Sequence, residues 1–383
     1  MKNIKHIAID LIRSQVSDYV PAYGKLNMEE LTELMNFAAD QDMTNTISKA
    51  LMDFNMVDDE DAKEQLMVEQ YGGTLRYQKQ KYAIERLCSA FDEREIPYIL
   101  LKGAVIRDYY PAPEIRTSSD IDVLVKKEDR QCAIECLVEY LRWKEKSSHI
   151  NNISYYTDDG VHIELHRAVI REGFSFSKVL SEPWQYAKHT AGSRYDVTNE
   201  FLLFYHCAHM AKHFIDGGFG IRFVLDLWLM NKSIDIDRTE FERLLVEGGI
   251  KMFVDAVSDL AKVWFEGAEH SDVTIALEKY LFESGVYGTM QNKIIIKKSM
   301  NGGRIKYLIK RIFMPISQLK TIYPILDKWP VLYPFCLLGR YVRILTKNRR
   351  MAMVELKNIS GKKYNELEKF MDMLGMKENL KRR

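Results

Sequence analysis

Two aspartates one residue apart, Asp120 and Asp122 in the run SSDIDVLV at residues 118–125, are the side chains of this 383-residue chain best placed to do chemistry. In an extended strand successive side chains alternate between faces, so both carboxylates share one side while Ile121, Val123 and Val125 fill the other. Like charges that close oppose each other's ionisation unless a cation lies between them. Mg²⁺ suits the position because it takes oxygen ligands and keeps waters that carboxylates and phosphates replace. A third carboxylate follows in HIELH at residues 162–166. There Val161, Ile163 and Leu165 alternate with His162, Glu164 and His166, the pattern of a half-buried strand with Glu164 on its polar face. Asp158, Asp159 and Gly160 form a turn signal before it, so residues 153–166 read as a hairpin.

The groups around these acids read as a phosphate site. Ile99, Leu100 and Leu101 form a short apolar strand that runs into Lys102, Gly103 and an amphipathic stretch at 104–110. A strand ending in Gly and passing into a helix lets backbone N–H groups and the positive helix end approach a triphosphate, with Lys102 neutralising it. Arg116, four residues before Asp120, has the planar fork that grips phosphate, and Ser118 and Ser119 supply hydroxyls. The alternative is that Arg116 only neutralises the acids and the serines form a turn. Glu164 is placed to accept a proton from an acceptor, and His162 and His166, on its face, to tune it or to touch that acceptor.

The order Lys-Gly, then Arg-x-x-Ser-Asp-Ile-Asp-hydrophobic, then hydrophobic-Glu-hydrophobic resembles the polymerase-beta-like nucleotidyltransferase superfamily, in particular its bacterial branch of uncharacterised nucleotidyltransferases. The sharp motifs cover residues 97–167, and the likeness continues more diffusely through 206–226. It implies Gly103 as the glycine motif, with Asp120, Asp122 and Glu164 as catalytic carboxylates and ligands of a two-ion Mg²⁺ site. The reaction implied is transfer of a nucleoside monophosphate from a nucleoside triphosphate such as ATP, with release of pyrophosphate. It also implies that His209 and His213, with Arg222 and Asp226 on the next helix, close over the site and contact substrate.

His206, His209 and His213 fall at i, i+3 and i+7 and share one helix face. Zinc is the sharp reading of that row and structural histidines the bland one; the Glu of the helical metalloprotease pattern is missing, since Met210 follows His209. No G-x-x-x-x-G-K-[ST] run and no kinase catalytic-loop set is present, which disfavours both classes. The alternative to an enzyme is a non-catalytic nucleotide-sensing module that retains the fold.

The elements that must position these residues follow from periodicity. Residues 4–16, 27–40 and 43–54 read as helices, a long amphipathic helix at 75–94 follows Gly72 and Gly73, and another at 128–141 follows the Asp-x-Asp strand. From residue 199 the chain is mostly helical: 199–214, 221–231, 237–248 and 251–265. Strands in the middle with helices on both sides argue for an α+β fold, a small mixed-sheet core flanked by helical regions. The expected division is an N-terminal helical region at 1–72, a catalytic core at 73–197 and a C-terminal helical domain at 198–383.

Composition sets bounds. With 55 basic and 54 acidic residues the charges nearly cancel, so no global field draws in nucleic acid. The acceptor is left as a small hydroxylated molecule, a protein side chain or an RNA end. Cys88, Cys132, Cys136, Cys207 and Cys336 are odd in number and read as reduced thiols of a cytoplasmic protein. Asp10 interrupts the first apolar run, which argues against a signal peptide. The uncharged run at 329–339 contains two prolines and is too short to span a bilayer. A basic amphipathic stretch at 304–313 is read either as a peripheral contact with a membrane or acidic polymer, or as a helix packed on the catalytic domain.

Overall fold

The computed structural model describes residues 3–148, 152–170, 172–286, 288–300, 313–314, 316–320, 322–347 and 362–376. Three helices open the chain: α1 (Ile4–Ser14), α2 (Met28–Asp40) and α3 (Thr44–Asp53). Asn27 starts α2 by accepting from the backbone N–H groups of Glu29 and Glu30, while Glu30 accepts from the Asn27 N–H, a reciprocal cap. Asp59 caps α4 (Glu60–Glu93) in the same sense, through the Ala62 N–H.

Helix α4 runs without a break through Gly72 and Gly73, where the sequence suggested a boundary. The reason is a close helix contact. A Cβ on Gly73 would sit 2.3 Å from Asn45 Nδ2 of α3, so the glycine lets two helices approach rather than ending one. The expected border between residues 72 and 73 therefore falls inside a single helix.

Strand β1 (Tyr98–Leu101) leads into the four-residue helix α5 (Gly103–Ile106), then β2 (Asp120–Val125) and α6 (Arg130–Glu135), which continues as a π-helical turn at Cys136–Tyr140. Strands β3 (Lys144–Ser148), β4 (Asn152–Tyr156), β5 (His162–His166), β6 (Ala187–Ala191) and β7 (Arg194–Val197) complete a seven-stranded mixed sheet in the order β3-β4-β5-β2-β1-β7-β6. The fold is α+β, as the periodicity predicts, but the sheet is wider than expected by β3, β6 and β7.

Alternation along the central strands divides the interior. Ile121, Val123, Val125, Ile163 and Leu165 pack with Leu87 and Phe91 of α4 on one face. On the other face Ile99, Leu101 and Leu124 join a larger core. That core is built by α7 (Asn199–Ile215), α8 (Ile221–Ser233), α9 (Arg238–Gly248), α10 (Lys251–Glu266), α11 (Asp272–Ser284) and α12 (Met290–Met300), together with α1–α3. Helix α7 is apolar almost all round, the mark of a helix enclosed by others. N-terminal and C-terminal helices thus share one interior, and the acidic face of β2 lies beneath it.

Farther on, Ile316–Lys320, Ile325–Lys328 and Tyr333–Lys347 are helical and gather around a separate small core of Leu319, Leu326 and Leu337. Of the basic stretch at 304–313 all but Phe313 lies outside the described residues, as does the tail at 377–383. Among the described residues no helix is long and apolar enough to cross a membrane. All five cysteines are free thiols.

Candidate active site

Strand pairing assembles the acidic cluster. β2 and β5 run parallel with Asp120 opposite His162, Asp122 opposite Glu164 and Leu124 opposite His166, so all the polar side chains emerge on one face. β1 pairs antiparallel with β2, setting Leu101 opposite Asp122. The next residue, Lys102, has a left-handed backbone (φ 48°), and its Nζ donates to Asp122 Oδ1 at 2.6 Å. His166 Nε2 lies 2.5 Å from the same oxygen and 3.2 Å from Glu164 Oε2. Asn152, on β4, donates to Glu164 Oε2 at 2.7 Å.

Two sets of ligating atoms, Asp120 with His162 and Glu164, and Asp122 with Glu164 and His166, each lie within 4.8 Å of one another. Glu164 belongs to both. Asp122 Oδ2 is buried and accepts no hydrogen bond. A buried carboxylate oxygen without a donor is destabilising unless something positive meets it, so the carboxylate pairs of these two sets, Asp120 with Glu164 and Asp122 with Glu164, fit hard divalent cations.

The two aspartates are pushed apart in acidity. Burial, then the neighbouring charge of Asp122, raises the Asp120 carboxyl above its ordinary range. For Asp122 burial works in the same direction, but Lys102 and His166 outweigh it and hold the carboxyl well below the usual carboxylate range. The hydrogen bond from His166 is the main reason Glu164 is also held low. His166 is raised in turn: burial opposes its charge, and bonds to Asp122 and Glu164 overcome that.

Beside the acids, Gly103 meets Ser118 and Arg116 closely. A Cβ on Gly103 would lie 2.5 Å from Ser118 Oγ and 2.9 Å from Arg116 Nη1. Ser118 Oγ donates to the Asp120 carbonyl at 3.0 Å, and Gln80 Nε2 donates to the Ser118 carbonyl at 2.9 Å. A cleft of about 530 Å³ opens here, with Lys102, Gly103, Ser118, Ser119 and Asp120 on its sheet side and Tyr205, His206, His209, His213, Arg222 and Phe223 on its helical side.

Several side chains expected to await substrate are already engaged. Arg116 donates to Asp226 through Nε at 2.8 Å and Nη2 at 2.7 Å, and Tyr110 Oη donates to the same carboxylate at 2.7 Å. A guanidinium and a carboxylate this deeply buried would each lack a counter-charge alone, so they are spent on one another; the free phosphate grip expected of Arg116 and the substrate contact expected of Asp226 give way to this pair. Lys102 points at Asp122 instead of standing open for a triphosphate. Arg222 binds the Asp42 carboxylate and, at 2.9 Å, the Thr117 carbonyl.

His206 donates to the Phe223 carbonyl at 3.0 Å, a structural bond. His209 and His213 line the cleft with their Nε2 atoms 3.2 Å apart, and burial first, then nearby lysines, drives both below the ordinary imidazole range, His213 to about 4. Neither metal-spaced cluster found among the described residues includes this row.

Residues 27–266, more than half of the chain, match the family described as uncharacterised nucleotidyltransferase. The chain belongs to that family. It is therefore a nucleotidyltransferase, a transferase by class. No curated protein matches the chain. A solution structure of the antibiotic-resistance factor ANT(2'')-Ia is similar over 44% of this chain and 90% of that one, at 17% identity and a TM-score of 0.34, a likeness too distant to bear on the site.

The candidate site also holds groups that the sequence did not single out. Asn152 sits opposite His166 in the β4–β5 register and orients Glu164. Tyr205 is buried against the cleft, its hydroxyl has no hydrogen-bond partner, and burial raises it so that it stays a neutral phenol. Its signal was available: Tyr205 lies four residues before His209, on the same helix face. Asp42 and Gln80 arrive from α2's end and from α4, over distances in sequence that no local pattern reveals.

Proposed function

We propose that this nucleotidyltransferase moves a nucleoside monophosphate from a Mg²⁺-bound nucleoside triphosphate to an acceptor hydroxyl in the cytoplasm. The acceptor oxygen bonds to the α-phosphorus, the bond from that phosphorus to the bridging oxygen breaks, and pyrophosphate leaves with the electron pair. The single observation that supports this reading is that Glu164 clusters with Asp120 and His162 on one side and with Asp122 and His166 on the other, with Asp122 Oδ2 buried and without a donor.

Asp120, Asp122 and Glu164 are the residues that would hold Mg²⁺; when bound, it supplies positive charge to the phosphates and favours the ionised nucleophile. Lys102 and His166 keep Asp122 ionised and correctly turned, and Asn152 and His166 fix Glu164 through Oε2. Glu164 Oε1, 4.0 Å from His162 Nε2, is the oxygen placed to take the proton lost by the acceptor hydroxyl. Gly103, Ser118 and Ser119 line the cleft where the triphosphate lies, and His209, His213 and Arg222 form the opposite wall, for base or acceptor. The sheet and the loops beside it, residues 102–166, supply the catalytic groups, and helices α7 and α8 the far wall.

The test is incubation of the protein with Mg²⁺, each α-labelled nucleoside triphosphate and a cell extract as the source of acceptor, beside the Asp122→Ala variant. Label transfer and pyrophosphate release confined to the wild type are expected; equal signals from both proteins reject the proposal.

A further inference from the structure

The two groups of ligating atoms in the active site differ in what their imidazole can give a cation. In the buried set His166 Nε2 is already engaged, 2.5 Å from Asp122 Oδ1 and 3.2 Å from Glu164 Oε2, and Lys102 Nζ holds the same Asp122 oxygen at 2.6 Å. What remains there for an ion is oxygen: Glu164, and Asp122 Oδ2, which belongs to a residue only 1% exposed and accepts no hydrogen bond. The half-buried set is Asp120, His162 and Glu164. Its imidazole is uncommitted: among the described residues the charged group nearest His162 Nε2 is Glu164 Oε1, at 4.0 Å, beyond hydrogen-bond reach. The ring is nonetheless held in place, stacked on Tyr156 of β4 with centroids 4.9 Å apart and planes at 18°. Asn152 and His166 both fix Glu164 through Oε2, which leaves Oε1 as the oxygen facing His162.

Two carboxylates and an imidazole nitrogen make a mixed donor set. Mg²⁺ favours oxygen throughout, whereas first-row transition cations accept imidazole as well. We propose that the set of Asp120, His162 and Glu164 prefers a first-row transition cation, with Mn²⁺ as its probe, to Mg²⁺, and that His162 is the nitrogen ligand; this preference rests on the nucleotidyl-transfer reading of the site and names the ion at Asp120. The neighbouring position at Asp122 offers oxygen only and suits Mg²⁺. The two positions share Glu164 and are unlike. Three protein ligands leave such an ion open to phosphate oxygens from the cleft that Asp120 lines. Glu164 Oε1 has one lone pair for the ion and a second for the acceptor hydroxyl.

The experiment adds Mn²⁺ to the metal-free protein, reads free and bound ion by electron paramagnetic resonance, and then adds Mg²⁺ at about ten times the Mn²⁺ concentration. Mn²⁺ is expected to stay at one position under that excess, and the electron spin echo of the retained ion to carry the modulation of a directly coordinated imidazole nitrogen. His162→Ala should lose that modulation and bind Mn²⁺ there about 10-fold or more weakly, since loss of an orienting partner alone costs a metal site that much. An unchanged thermal melt without metal assigns the loss to coordination rather than to folding, and the wild-type echo decides the point without the variant. The preference is refuted if Mg²⁺ displaces the Mn²⁺, if the wild-type echo carries no nitrogen modulation, or if the modulation persists in His162→Ala. In each of those cases label transfer with Mg²⁺ still upholds the nucleotidyl-transfer reading. If neither ion binds, with or without a non-hydrolysable triphosphate, both fall.

Discussion

Asp122 and Glu164 stand opposite each other across the parallel β2–β5 pair, and one imidazole, His166, reaches both, at 2.5 Å and 3.2 Å. The histidine comes from the same strand as Glu164, two residues on, so a single register fixes all three groups. Slipping β5 by one residue against β2 would turn Glu164 and His166 to the opposite face and leave Asp122 without either.

Replacing Asp122 tests the chemistry apart from the fold. Asp122→Asn keeps an acceptor for Lys102 but removes the charge that both Lys102 and His166 answer. Nucleotidyl transfer is expected to fall by about 10³-fold or more, equivalent to roughly 4 kcal/mol of transition-state stabilisation. Stability in urea should fall by only about 1–3 kcal/mol.

Metal and nucleotide should stabilise together. Mg²⁺ with a non-hydrolysable triphosphate, at about 100 times its dissociation constant, is expected to add about 2.7 kcal/mol to the unfolding free energy. Thermal melts should show the rise in the wild type, its reversal by a chelator, and its loss in Glu164→Gln.

The Arg116–Asp226 pair is a buried structural clamp. Arg116→Met leaves Asp226 charged and buried with Tyr110 beside it and should cost about 3–5 kcal/mol. Adding Asp226→Leu should recover more than half of that loss, which a double-mutant cycle in urea measures.

Gly103 is required by close approach, not by an unusual backbone angle. Gly103→Ala drives a methyl into Ser118 Oγ and Arg116 Nη1 and should destabilise by about 1–3 kcal/mol. Combining it with Ser118→Gly should restore part of the stability, read from the same melts.

Acid should loosen the cleft through His213. The groups around it are His209, Lys212, Lys102, Arg222 and Asp216, mostly positive. Burial and those charges hold it near 4, against about 6.5 when unfolded, so between these values the unfolded chain binds more protons and stability rises with pH. The stability lost on acidification across that window is on the order of 3 kcal/mol, and His213→Asn should flatten the slope by about that amount in urea titrations at successive pH values.

The sequence made the acidic strands visible because one face of each is apolar and continuous, as in Ile121-Val123-Val125 and Ile163-Leu165. It hid β3, β6 and β7 because KEKSS and AKHTA are polar edge strands and RYDV, between β1 and β6, is half-buried at every position, so none has a buried face to impose alternation. Gly72 and Gly73 looked like punctuation because a glycine that ends a helix and one that admits a neighbour are the same letter; only Asn45, supplied by α3, tells them apart. Arg116, Asp226 and Lys102 were legible as residues near the site. Their partners were not, since the choice between a phosphate and a carboxylate is made by tertiary packing.

The bond from Arg116 to Asp226 spans 110 residues of chain. During synthesis the guanidinium emerges from the ribosome long before its carboxylate exists, and the strand bearing the paired aspartates is complete while one wall of the cavity has yet to be translated. A nascent chain halted between residues 197 and 226 would have all seven strands and no enclosed chamber, so competence for the reaction arrives late and all at once.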